Sequence, residues 1–108
     1  MSIHIVRSIN KSKENQIEFL FVNFDHYDGI DLVAKIFCKE FNMCADDKID
    51  GLWYSTIKLH DDYDEYDLCW HEDVGNYIVS KKQNDEEISK LEERLKVVIE
   101  KIKDMTQM

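Results

Sequence analysis

From Gln16 to Phe24 the chain reads QIEFLFVNF, with Ile17, Phe19 and Phe21 on one parity and Leu20, Val22 and Phe24 on the other. Apolar side chains on both parities predict a strand covered on both faces. Ile3 to Arg7 is short and β-branched, and the polar stretch Asn10 to Asn15 suits a hairpin connection. These two strands are therefore expected to pair antiparallel. Ile30, Val33, Ala34, Phe37 and Phe41 then recur at helical spacing behind Asp28, an acceptor for the unpaired amides of a helix start, with Asp31 in the first turn. The spacing predicts a helix over 29–42 that buries this stripe on the sheet.

Beyond a polar connection over 44–51, three segments read as a meander: Leu52 to His60, Glu65 to Glu72 and Asn76 to Lys81. In the middle one, Tyr66, Leu68 and Trp70 share one face while Asp67, Cys69 and His71 share the other. The turns fall at 61–64 and 73–75, where Gly75 supplies a permissive backbone. Asn84 with Glu87 three residues on predicts a capping box. Ile88, Leu91, Leu95, Val98, Ile102 and Met105 follow at alternating spacings of three and four, the stripe of an amphipathic helix. The elements run ββαβββα. The fold class expected is α+β: one domain over 1–108, an antiparallel sheet of about five strands, and two helices packed on one face.

Composition narrows the picture. A chain of 108 residues has room for one hydrophobic core, and 44% hydrophobic residues are enough to offset chain entropy. The N-terminal residues lack an apolar run of signal-peptide length, and no stretch approaches a membrane span, so the expected location is the cytoplasm. Cys38, Cys44 and Cys69 are odd in number and lack CxxC spacing, which fits reduced thiols.

Charge is unevenly placed. The formal net charge is −9, and between Ala45 and Asp73 the acids Asp46, Asp47, Asp50, Asp61, Asp62, Asp64, Glu65, Asp67, Glu72 and Asp73 face only Lys48 and Lys58. Such a segment repels phosphates and anionic lipids and attracts cationic surfaces, so neither nucleic acid nor membrane is an expected partner.

Candidate chemistry is sparse. His60-Asp61-Asp62 and Trp70-His71-Glu72 lie on adjacent predicted strands, where two imidazoles among carboxylates would suit zinc if they met, but no metal-motif spacing is present. Asp62-Tyr63-Asp64 with Asp73 resembles a calcium loop only superficially, since Asp67 stands where that loop needs glycine. The three glycines form no phosphate-cradling motif, and no serine sits in a nucleophile elbow. No catalytic residue, metal or cofactor is expected, and the chain is not expected to be an enzyme.

What stands out is an acidic surface laced with Trp53, Tyr54, Tyr63, Tyr66 and Trp70. Strand alternation sends some of these inward and leaves the others as contact anchors. In size, acidity and α+β plan, carried by Asp61, Asp62, Tyr63, Asp64, Glu65, Tyr66, Asp67 and Trp70, the chain resembles the small acidic immunity proteins that protect bacteria from toxins, including those of contact-dependent growth inhibition systems and nuclease bacteriocins. The resemblance implies a stoichiometric inhibitor of a cationic toxin domain, often a nuclease, whose Lys and Arg serve phosphates and would accept carboxylates instead. The expected partner-binding set is Asp61, Asp62, Tyr63, Asp64, Glu65, Tyr66, Asp67 and Glu72, with Tyr63 and Tyr66 as anchors. The alternative is a homodimeric regulatory or structural protein joined by the C-terminal helix seam; monomer or homodimer is left open.

Overall fold

The computed structural model describes residues 2–106. Strands β1 (His4–Asn10) and β2 (Gln16–Val22) form the first hairpin, joined by a single 3-10 turn over Lys11–Lys13. Helix α1 covers Gly29–Phe41. Two-residue strands β3 (Cys44–Ala45) and β4 (Ile49–Asp50) follow, then β5 (Tyr54–His60), β6 (Glu65–His71), β7 (Gly75–Ser80) and helix α2 (Asp85–Thr106). Every strand pair is antiparallel, in the order β1-β2-β7-β6-β5-β3, and β4 also pairs with β5. This is the expected α+β domain with ββαβββα order and both helices on one face, enlarged from five strands to seven.

The two added strands lie in the segment expected to be a polar connection. Cys44 pairs with His60 and Ala45 with Leu59, while Ile49 pairs with Thr56 and Asp50 with Ser55. All four residues of β3 and β4 are exposed, so their sequence carries no alternation between core and solvent that could have marked them. Splitting this border into two short pieces also leaves β5 without a long open edge.

The core lies between the sheet and the helices. Phe19, Phe21, Ile57, Leu59, Tyr66, Leu68 and Ile78 project from the strands onto Ile30, Val33 and Phe37 of α1 and Ile88, Leu91, Leu95, Val98 and Ile102 of α2. Leu20 and Val22 point to the opposite face, which no helix covers, so β2 is covered on one side only. They are half-buried because neighbouring strands crowd them: Leu20 stands between Val6 and Tyr77 in the sheet.

Both helix starts differ from expectation in one detail. Asp28 occupies the N-cap of α1 without a side-chain capping bond; the turn is closed by Gly29 N–H donating to the His26 carbonyl at 3.0 Å. At α2, Asn84 Oδ1 accepts the Glu87 amide at 2.9 Å as expected, but the Glu87 carboxyl turns toward Asp64. The reciprocal half of the capping box is given up for a tertiary contact.

The α2 seam itself is spent on the core. Ile88, Leu91, Leu95, Val98 and Ile102 are essentially inaccessible, and only Met105 of the stripe is exposed. A homodimer through this seam would have to expose the protein's own core, which removes the structural basis of that alternative. No helix among the described residues is long and apolar enough to cross a membrane.

Candidate partner-binding surface

The β5–β6 hairpin sends the expected site residues in different directions. Asp61 Oδ1 accepts the amides of Tyr63 at 2.8 Å and Asp64 at 2.7 Å, so this carboxylate shapes the turn. Asp64 is only 4% exposed and lies 2.7 Å from Lys90 Nζ and 3.5 Å from Arg94 on α2. Burial pushes the Asp64 carboxyl up, but hydrogen bonds from Lys90 and Glu87 and the charges of Lys90 and Arg94 outweigh it and hold the group below the usual carboxylate range. Glu87 is raised instead, chiefly by its hydrogen bond with Asp64. The two neighbouring carboxyl groups are thus shifted in opposite directions, with Lys90 and Arg94 favouring the charged form of Asp64.

Tyr66 is at 0% exposure, with Phe37 against its ring and Arg94 donating to its hydroxyl at 3.0 Å. Burial lifts its hydroxyl pKa to about 12. Glu65 lies 3.7 Å from Lys58 and 3.4 Å from Lys81. Asp67 projects from the uncovered sheet face, and Glu72 lies at the opposite end of β6. Of the expected set, Asp62 and Tyr63 alone remain an exposed acid and aromatic side by side at the turn, and the Tyr63 carbonyl accepts from Lys82 Nζ. The centre of the 61–67 segment is therefore a clasp: Lys58 and Lys81 engage Glu65, Lys90 and Arg94 engage Asp64, and Tyr66 lies in the core, so these three are not free for a partner, whereas Asp62, Tyr63 and Asp67 stay exposed.

The two histidines do not meet. Tyr54 pairs with His71 and His60 with Glu65, so the imidazoles stand at opposite ends of a seven-residue ladder, about 20 Å apart. His60 Nε2 engages Asp46 at 2.8 Å, and His71 Nδ1 accepts the Asp73 amide at 3.1 Å. Among the described residues no group of three or more His, Cys, Asp or Glu is placed to hold a metal ion.

The end of the sheet near His71 has a different character. Three connections converge there: residues 23–28 between β2 and α1, 51–53 between β4 and β5, and 72–74 between β6 and β7. Asn76, fully buried, donates from Nδ2 to the carbonyls of Phe24 at 2.8 Å and His26 at 3.1 Å. Trp70 Nε1 donates to the Asp25 carbonyl at 3.0 Å, and its ring meets Tyr27 edge-on. Tyr27 Oη donates to Asp50 at 2.7 Å, and Glu72 N–H to the Trp53 carbonyl at 3.0 Å. Gly75, with φ +90°, lets β7 begin directly beneath Asp25, where a Cβ would collide.

Tyr27, Ile49, Leu52, Trp53, Tyr54 and Val74 are all exposed at this end. Ile49 and Tyr54 lie on the uncovered face and Tyr27 on the helix side, with Leu52, Trp53 and Val74 in the turns between. Asp25, Asp28, Glu72 and Asp73 in the same connections are also exposed, and none forms an ion pair among the described residues. Lys48, the cation nearest to Tyr27, is held by Asp31 at 3.0 Å and by the Tyr27 ring. Exposed apolar side chains beside unpaired carboxylates are complementary to an apolar, positively charged surface. The sequence signal was present in Trp53, Tyr54, Glu72 and Asp73; Asp25, Tyr27 and Asp28 were hidden because the turn that brings them in is fixed by Asn76, some 50 residues away.

Comparison with protein-family models, with curated proteins and with solved structures finds no match.

Proposed function

We propose that the chain is an immunity-type inhibitor that binds a cationic toxin domain, with the contact surface at the Trp53 end of the sheet rather than at the 61–67 turn. The observation that carries this reading is the coincidence of six exposed apolar side chains with four carboxylates that have no cationic partner of their own among the described residues. The carboxylates steer a basic protein in and compete for groups that would otherwise meet phosphate. Trp53, Tyr54 and Tyr27 supply contact area with polar tips, the side chains that dominate binding energy in protein interfaces.

The test uses the C-terminal domain of the secreted protein encoded by the gene immediately upstream. Co-expressed with it, the chain is expected to restore growth and to co-purify one-to-one. The variant Asp28→Asn/Glu72→Lys/Asp73→Lys should lose both effects at unchanged thermal stability. An upstream gene without such a domain, or rescue by the variant equal to the wild type, overturns the reading.

A further inference from the structure

The β4–β5 hairpin reverses in two residues. Asp50 pairs with Ser55, and Gly51 N–H donates to the Tyr54 carbonyl at 2.7 Å, which leaves Leu52 and Trp53 as the tip. Tips this tight are ordinarily built from Gly, Asn, Asp, Pro or Ser, whose backbone freedom or short polar side chains suit a reversal in water. Here two large apolar side chains stand there, Leu52 at 81% and Trp53 at 55% exposure. The backbone does not call for them, since neither adopts a positive φ, and the core does not receive them.

The support beneath the tip is stiff. Asp50 accepts from Tyr27 Oη at 2.7 Å and from Ser55 Oγ at 2.5 Å, and these hydrogen bonds hold its carboxyl below the usual range. The Trp53 carbonyl is fixed by the Glu72 amide. The Tyr54 ring lies against Gly51, where a side chain would collide with it. With the backbone of the tip held in this way, the ordering cost on binding falls mainly on the two side chains.

We propose that Leu52 and Trp53 form a plug that enters a concave apolar pocket rimmed by Lys and Arg on the cationic partner. This deepens the reading above and rests on it. A tip this exposed gains full burial only in a recess, and Glu72 and Asp73 beside Trp53, with Asp25 and Asp28 in the neighbouring 23–28 connection, meet the recess's cationic rim. A second copy of the chain does not fit as occupant, because it would set the same carboxylates against each other.

The experiment measures affinity of the upstream-encoded domain for the wild type, Leu52→Ala, Trp53→Ala and Asp28→Asn/Glu72→Lys/Asp73→Lys at 0.05 and 0.5 M NaCl. Trp53→Ala is expected to weaken binding at least about 30-fold at both salts, mainly through faster dissociation, while the carboxylate variant loses its association rate chiefly at low salt. A photo-crosslinking residue at position 53 should label an apolar segment flanked by Lys or Arg. If Trp53→Ala and Leu52→Ala each stay within about threefold of wild type while the carboxylate variant fails to bind, the plug is wrong and the acidic surface stands. If all three variants bind as wild type does, both proposals fall.

Discussion

Replacing Asp64 with alanine separates a structural acid from a recognition acid. The side chain is 2% exposed and pairs with Lys90, 40% exposed, and Arg94, 17% exposed. Breaking a fully buried ion pair costs about 3–5 kcal/mol, because the remaining charge is left uncompensated. Here Lys90 can return to water, and Arg94 keeps its bond to the Tyr66 hydroxyl and its place over the Phe41 ring. The cost should therefore fall to about 2–3 kcal/mol. With a urea slope of about 1.5 kcal/mol/M, the midpoint should drop by about 1.3–2 M, followed by the fluorescence of Trp53 and Trp70.

The pH dependence has a definite sign. Because folding depresses the Asp64 pKa, its contribution is present above the unfolded value of about 3.9 and is lost as pH falls through the folded one. Glu87 acts oppositely: its raised pKa makes its contribution present in acid and lost as pH rises through the folded value. The gap between wild type and variant should thus be widest in mild acid, where both contributions are present, keep the Asp64 part near pH 7, and close as pH falls below about 4 through the folded Asp64 value. A midpoint shift under about 0.5 M at pH 7, as expected for an exposed carboxylate, would refute the clasp and return the 61–67 turn to the candidate contact surface.

Asn76→Ala should cost about 1–3 kcal/mol in urea melts by stranding the Phe24 and His26 carbonyls, and it should raise hydrogen exchange in residues 24–28. Gly75→Ala should destabilise by a similar about 1–3 kcal/mol, since φ +90° and the collision with Asp25 both oppose a side chain. In an alkaline absorbance titration Tyr66 should stay protonated past pH 11; its contribution, present below the unfolded pKa of about 10, is lost as pH rises through about 12. Alkylation followed by peptide mass mapping should label exposed Cys44 first. Burial raises Cys69 and Cys38, the latter with help from the Cys44 charge, and should slow both.

The long elements were legible because each carries a period. The α1 and α2 stripes and the alternation of Tyr66 and Leu68 reach the core as read, since burial is what creates such patterns. Leu52 and Trp53 read as the start of a strand and lie in a turn, because two large apolar residues at a hairpin tip break the rule that turns are polar. The acid run from Asp61 to Asp67 looked like one surface because sequence shows charges without their partners. Lys90 and Arg94, which pair with Asp64, lie two strands and their connections further along the chain. The surface at 25–28 and 72–74 depends on Asn76 and Gly75, whose roles are set by long-range backbone geometry.

The most direct test compares two variants for binding to the upstream-encoded domain at low salt: Asp28→Asn/Glu72→Lys/Asp73→Lys at one end of the sheet, and Asp62→Lys/Tyr63→Ala at the other. Binding through the Trp53 end predicts at least about a 100-fold loss of affinity for the first and less than about a threefold change for the second. The reverse ranking would contradict it and place recognition at the β5–β6 turn.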